Sequence, residues 1–321
     1  MSKVAQKILI ILGPTSSGKS DIAIKLAKKF NGEIISADSR QVYRGMNVGT
    51  GKVERDQRSR EIPSIVEGSR IHNIYFSKGI PHYMIDIVSP RADYNVAKFK
   101  KQAEKIISDI LRRGKLPIIC GGTGFWISAI VDDINFPKVK PDWKLRKKLK
   151  KHSAEKLFKI LQKLDFERAE TIDSKNKVRL IRAIEICKAI KKVPLINTRY
   201  QIPDTRYEIL QIGLKLPREQ LCKKIEKRVK ARFRQGMITE VKKLHGQGLS
   251  WKKIKSFGLA YFWIPLYLQN KLSKKELIEK VTNAEKNYAK RQMTWFCRDS
   301  RIKWLKSYPQ IEKSTRNFLK K

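Results

Sequence analysis

The stretch Lys7-Ile8-Leu9-Ile10-Ile11-Leu12, followed by Gly13-Pro14-Thr15-Ser16-Ser17-Gly18-Lys19-Ser20, constrains this chain more than any other. An apolar run breaks into a glycine-bounded loop that satisfies the P-loop pattern in full. After it, Ile22, Ala23, Leu26, Ala27 and Phe30 recur at helical spacing until Asn31-Gly32, so the loop is expected between a buried strand and a helix N-terminus. Backbone N–H groups, the positive end of the helix dipole and the Lys19 ammonium then converge on one spot suited to a di- or triphosphate. Ser20 offers a hydroxyl to Mg²⁺. Polyphosphate binding is the anchor, and by itself it does not separate a kinase or an ATPase from other enzymes.

Glu33-Ile34-Ile35-Ser36 reads as a second strand that delivers Asp38, Ser39, Arg40, Gln41, Val42 and Tyr43 at its C-terminal end. Ligands of open α/β sheets bind at those ends. Asp38 is therefore expected beside the P-loop, the other reading being a simple cap on the next turn. Residues 45 to 79 lack a sustained period and read as a loop region with short elements. A third strand is expected over His82–Val88, with Asp86 either an outer carboxylate for Mg²⁺ or a satisfied structural group. From Tyr94 an amphipathic helix runs through Val96, Phe99, Ala103, Ile106, Ile107, Ile110 and Leu111 to Gly114, and Leu116–Cys120 makes an apolar strand ending in Gly121-Gly122-Thr123-Gly124. Strand, helix, strand with short loops predicts a parallel sheet. The Gly-Gly-Thr-Gly turn is a second place of close backbone approach, with Thr123 as its polar handle.

Between Pro137 and about Pro203 strand-like runs vanish and positive charge lies on helical faces. Residues 138–159 carry ten Lys/Arg against Asp142 and Glu155, which reads as an inserted helical domain with a phosphate-binding face. Arg179 and Arg182, three apart, share one side of a later helix in it. The division expected is 1–136 and 205–321 for an α/β core and 137–204 for the insertion. The core resumes with a strand over Glu208–Leu214, and Pro217 opens a basic helix carrying Arg228, Arg232 and Arg234. The remainder reads as helical, Ser273 capping the last long helix, on which Tyr288–Phe296 interleaves aromatics with Lys290, Arg291 and Gln292. Those aromatics suit either RNA stacking or a core. Overall 72 Lys+Arg face 30 Asp+Glu, a formal +42, which fits a polyanionic partner or a lysine-rich cellular background. Cys120, Cys187, Cys222 and Cys297 form no Cys-x-x-Cys pair, and the four histidines show no metal-ligand spacing. A reduced cytoplasmic protein without structural zinc or membrane association is expected.

Six motifs in order carry a resemblance over nearly the whole chain. They are Gly-Pro-Thr-x-Ser-Gly-Lys-Ser, Ser-x-Asp-Ser-x-Gln-x-Tyr-x-Gly-Met from Ser36, His-x-x-Ile-Asp-Ile from His82, Gly-Gly-Thr-Gly from Gly121, Arg-Leu-x-Arg-Ala-x-Glu from Arg179 and Tyr-Ala-Lys-Arg-Gln-x-Thr-Trp from Tyr288. The chain resembles the bacterial tRNA dimethylallyltransferases, also called tRNA isopentenyltransferases. The resemblance implies a P-loop-type parallel sheet flanked by helices with an inserted all-helical domain, Mg²⁺ as cofactor, and a monomer acting on tRNA. It implies transfer of the dimethylallyl group of dimethylallyl diphosphate to the exocyclic amine of adenosine 37, just 3′ of the anticodon, in tRNAs that read codons beginning with U. By the same resemblance Gly13, Pro14 and Thr15, Ser16, Ser17, Gly18, Lys19 and Ser20 hold the diphosphate together with Arg228. Asp38, Ser39, Arg40 and Gln41 hold the adenosine, and Thr123, Arg146 and the run Val178, Arg179, Leu180, Ile181, Arg182 contact tRNA. Two positions depart from the family pattern: Ser256-Phe257-Gly258-Leu259-Ala260-Tyr261 replaces the usual Ile-Gly-Tyr segment, and Val178 stands where Gln is common.

This reading gives the motifs one chemistry. The P-loop amides, Lys19, Arg228 and Mg²⁺ stabilise the departing diphosphate, and Asp38 orients the adenine amine and accepts its proton. A base-modifying enzyme of this kind is expected to extrude its target base from the loop. The alternatives are a P-loop small-molecule kinase, an adenylate isopentenyltransferase acting on free AMP, and a basic RNA-binding protein with a relict P-loop.

Overall fold

The first strand, β1 (Gln6–Leu12), has five consecutive residues, Ile8 to Leu12, fully shielded from solvent. A strand buried on both faces belongs in the middle of a parallel sheet covered by helices on either side. The computed structural model, which describes residues 6–56, 64–66, 69–71, 74–194 and 207–320, shows that arrangement. After β1 come α1 (Lys19–Lys29), β2 (Gly32–Ala37), the short strands β3 (Ser64–Val66), β4 (Ser69–Ile71), β5 (Tyr75–Ser77) and β6 (Ile80–Tyr83), then α2 (Val96–Arg112), β7 (Leu116–Gly121) and α3 (Gly124–Val131). The helices α4 (Trp143–Leu149), α5 (Ala154–Leu164), α6 (Phe166–Thr171) and α7 (Lys177–Ile190) follow without a strand among the described residues. The chain then returns through β8 (Tyr207–Leu214), α8 (Arg218–Arg234), α9 (Met237–Gly246), α10 (Trp251–Ser256), α11 (Ala260–Leu268), α12 (Lys274–Phe296), β9 (Lys303–Leu305) and α13 (Tyr308–Lys320).

The main sheet runs β5-β6-β2-β7-β1-β8-β9. All neighbours are parallel except the β5–β6 hairpin. Alternation along β1 sorts the core: Ile8, Ile10 and Leu12 face a cluster with Phe99 and Ile107 of α2, Ile127 of α3, Val229 of α8 and Val281 of α12, while Leu9 and Ile11 face Ala23 and Leu26 of α1 and Ile311 of α13. The register sets Leu12 of β1 opposite Gly121 of β7, and Gly121 opposite Ala37 of β2. The C-terminal ends of the three central strands are thus level, which brings the P-loop, Asp38 and the Gly-Gly-Thr-Gly turn to one edge.

Contacts divide the described residues into two units, Met1–Val131 with Asp204–Lys321, and Asp132–Pro203. The division expected at 136/137 falls in the segment leading to α4, and the one expected at 204/205 lies outside the described residues. The smaller unit closes its own core around Leu157, Leu161, Leu180, Ile184 and Cys187. Each of its helices starts on a side-chain cap: Asp142, Ser153, Asp165 and Asn176 accept from backbone N–H groups of the first turn. Among the described residues no helix is long and apolar enough to cross a membrane.

Two expectations change, and one open pair of readings narrows. The third strand stops at Tyr83, because Met84 and Asp86 take left-handed backbone conformations, φ 65° and 57°. Of the two readings of Asp86, the structural one has support: it pairs with Lys52, whose side chain is almost wholly buried. The C-terminal part is not all helical: β9 pairs in parallel with β8. Ser273 does cap α12, in a reciprocal capping box with Glu276.

Candidate active site

Between β1 and α1 the loop folds back on itself, the Ser17 N–H reaching Pro14 O at 3.3 Å and the Lys19 ammonium donating to the same oxygen at 3.1 Å. Ser16 (φ 63°) and Gly18 (φ 89°) are left-handed, and α1 starts without a side-chain cap. Its first N–H groups thus receive no side-chain acceptor from the cap residue, the state of a helix start suited to an anion. Burial lowers the Lys19 pKa, and the Arg228 guanidinium lowers it further, while Cys120, Asp38 and Glu285 act in the opposite sense. Among the described residues Lys19 forms no ion pair.

The loop edges a cavity of about 670 Å³ in the larger unit, which Lys19, Ser20, Asp38, Arg40, Gln41, Arg228, Tyr261 and Tyr288 help to line. From α8, the Arg228 guanidinium donates to Thr15 Oγ1 and to Gly51 O, both at 3.2 Å. Burial first, then the neighbouring Arg232, brings its pKa down to about 10. Asp38, one residue beyond β2 and also on the lining, accepts the Arg40 N–H through Oδ1 at 2.9 Å. Its second oxygen accepts no hydrogen bond among the described residues. The two readings of Asp38 therefore coexist: one oxygen caps a turn, and the carboxylate also lines the cavity. Ser39 N–H donates to Thr123 Oγ1 at 3.1 Å, Arg40 Nε to Phe257 O at 2.6 Å, and Gln41 Nε2 to Gly51 O at 3.3 Å.

Gln292 of α12, named in the sequence only among the polar residues between aromatics, is a site residue. It is buried, accepts the Thr15 N–H through Oε1 and donates from Nε2 to Gly122 O, each at 2.8 Å. A Cβ on Gly122 would lie 2.2 Å from that amide nitrogen, so only glycine leaves room for the bridge. The signal was present: Ala289, Gln292 and Phe296 form the buried stripe of α12, and an amide on an apolar stripe must find partners. Of the aromatics there, Phe296 is core, Trp295 is about a third exposed and Tyr288 lines the cavity.

The expected RNA contacts of the smaller unit separate by environment. Glu185 receives Arg146 through two bonds at 2.7 Å, the Asp142 N–H at 2.7 Å and the Arg182 guanidinium. Burial would raise the Glu185 pKa, but these donors overcome it and hold it down at about 2. Arg146 and Arg182 are thus half-buried structural partners of Glu185. Leu180 and Ile181 are in the core, so their side chains face packing rather than solvent, whereas Val178 and Arg179 are exposed. Lys147, Lys148, Lys150 and Lys151 are also exposed.

The sequence model of the IPP transferase family matches residues 41–299, and that of isopentenyl transferase matches residues 6–61. A tRNA dimethylallyltransferase of Pelotomaculum thermopropionicum is 41% identical over 94% of this chain and 91% of its own length. One of Acetivibrio thermocellus is 38% identical over 93% and 91%. The crystal structure of the tRNA delta(2)-isopentenylpyrophosphate transferase of Staphylococcus epidermidis is 35% identical, with a TM-score of 0.68 over 98% of this chain and 99% of that one. A eukaryotic dimethylallyltransferase captured acting on tRNA superposes with a TM-score of 0.73 at 26% identity, over 91% and 70%. With a P-loop, a carboxylate and a buried arginine gathered at one end of a parallel sheet, and with likeness of this extent, the chain belongs to the IPP transferase family.

Proposed function

We propose that the protein transfers the dimethylallyl group of dimethylallyl diphosphate to the exocyclic amine of adenosine 37 in tRNAs that read codons beginning with U. The observation that carries this is the composition of the cavity. Its P-loop side holds Lys19, Arg228 and the uncapped start of α1, and its β2 side holds Asp38. Cations of the P-loop and α8 await an anionic leaving group, and a carboxylate at the end of β2 awaits a proton.

In the reaction the adenine N6 forms a bond to C1 of the allyl group while the C1–O bond to the diphosphate breaks. Charge grows on the departing oxygen, where Lys19, Arg228 and the amides of Gly18 to Ser20 would receive it. Asp38, with one oxygen anchored by the Arg40 N–H, presents the other to the amine, orients it and takes its proton. Arg40, Ser39 and Gln41 are fixed by bonds to Phe257, Thr123 and Gly51, which holds the base-side wall of the cavity.

The donor set fits Mg²⁺. Among the described residues no cluster of three or more His, Cys, Asp or Glu side chains is present, but Mg²⁺ commonly keeps several waters and takes only one or two protein oxygens beside those of a bound phosphate. Ser20, at the first turn of α1 and on the cavity wall, would be such an oxygen. A bound Mg²⁺ would add neutralising charge to the departing diphosphate.

One set of incubations tests the proposal: labelled dimethylallyl diphosphate with tRNA or with AMP, and labelled ATP with candidate acceptors. Label in N6-(dimethylallyl)adenosine at position 37 is expected. Label in AMP but not in tRNA, or phosphoryl transfer from ATP without prenyl transfer, would overturn it.

A further inference from the structure

Arg232 sits one helical turn beyond Arg228 on α8 and is 6% exposed. A residue of that charge is almost never buried without full pairing. Its Nη1 donates to Glu285 Oε1 at 3.1 Å, yet its Nε has no hydrogen-bond partner. Its other terminus turns toward the cavity wall. A Cβ on Gly51, at φ 61°, would lie 2.0 Å from Arg232 Nη2 and 2.1 Å from Arg228 Nη2, so both guanidinium groups converge on one point of the cavity lining. Two like charges held together in a desolvated place repel, and among the described residues Glu285 is the carboxylate that pairs with Arg232. Around the whole lining seven cations, Lys19 among them, face three carboxylates, Asp21, Asp38 and Glu285.

From this we propose that Arg232 is a second guanidinium of the diphosphate subsite, held desolvated by Glu285 and completed when the anion arrives. The proposal rests on the cavity taking an allylic diphosphate. A ligand of that charge supplies the acceptors that Arg232 lacks and relieves its repulsion with Arg228. The depression of the Arg228 pKa by its neighbour is the same repulsion seen from the other side.

Inorganic diphosphate is the probe, titrated calorimetrically into wild type, R232M, R232K and E285Q, with thermal unfolding followed in parallel. Wild type should bind; if it does not, the reading of the cavity itself fails. R232M should bind roughly ten- to a hundredfold more weakly, the range of one charge-assisted hydrogen-bonding group, and R232K should recover part of the loss. E285Q should bind several-fold more tightly, because it releases Arg232 from its internal partner. An ion pair that serves stability alone would lower the unfolding temperature in both R232M and E285Q and leave both affinities at the wild-type value. That result, or weaker binding by E285Q, overturns the proposal even if R232M fails to fold.

Discussion

Asp38 uses its two oxygens differently, and this makes it separable by mutation. Asp38→Asn retains an acceptor for the Arg40 N–H, so the turn after β2 should persist. What is lost is the base. Positioned general bases contribute about 10²- to 10⁴-fold, and the single-turnover rate of prenyl transfer should fall by that order while affinities for tRNA and dimethylallyl diphosphate stay within a few-fold. A near wild-type single-turnover rate would leave proximity and leaving-group stabilisation to explain the chemistry. Gln292 makes the complementary case, a residue without reactive chemistry that ties Thr15 to Gly122. Gln292→Leu keeps the volume but strands a buried N–H and a buried C=O, at about 1–3 kcal/mol each. We expect a lower melting temperature together with a raised KM for dimethylallyl diphosphate. A lowered melting temperature with unchanged kinetics would make the bridge structural only. The two residues also mark how far sequence reached at this scale. Asp38 was legible because a strand end is a fixed address in an α/β sheet. The role of Gln292 was not, since its partners are backbone atoms 277 and 170 positions away.

Among the elements, β1, β2, β7 and β8 were legible as apolar runs, and α1, α2 and α8 by their period. The unread ones are short: β5 and β9 have three residues each, and the β9 side chains are only half-buried or exposed, so no pattern accumulates. Their pairing is decided by neighbouring strands rather than by local preference. In the smaller unit the acidic residue of the Arg-Leu-x-Arg-Ala-x-Glu motif, Glu185, proves to be the organiser, joining α7 to the start of α4 through Arg146 and the Asp142 N–H, with Arg182 of its own helix beside it. Its ordinary pKa of 4.5 falls to about 2 in the fold. The stability it confers is therefore complete above about pH 4.5 and is lost as pH falls toward 2. Glu185→Gln removes the charge while keeping the shape. Breaking such a buried pair costs up to about 3–5 kcal/mol, and less here because both arginines are partly solvated. Hydrogen exchange at neutral pH should show faster opening of α4 and α7 in the variant. As pH falls from about 4.5 toward 2 the exchange-derived stability of those helices in wild type should converge on that of the variant; a constant gap at all pH values would show that Glu185 acts through packing and not through charge.

At the scale of the molecule, the cavity belongs wholly to the larger unit and the lysine run of α4 and the turn after it wholly to the smaller. This separation allows chemistry and RNA affinity to be perturbed independently. The net charge of +42 is ambiguous as composition, because a lysine-rich background and an RNA-binding surface yield the same sum. Placement narrows the choice: Arg146 and Arg182 are engaged with Glu185, while Lys147, Lys148, Lys150 and Lys151 stay exposed on consecutive turns. A surface of free ammonium groups attracts phosphates by releasing their counterions, and each phosphate contact contributes roughly 0.7–0.9 to the slope of log affinity against log salt. Replacing the four lysines with Ala should weaken tRNA binding at low salt and reduce that slope by up to about 3. The KM for dimethylallyl diphosphate should be unchanged, since no residue of its cavity is altered. Filter binding of tRNA across a salt series reads both quantities at once. If the slope and the low-salt affinity are those of wild type, the lysine run is a solvated face, and tRNA recognition rests on other surfaces.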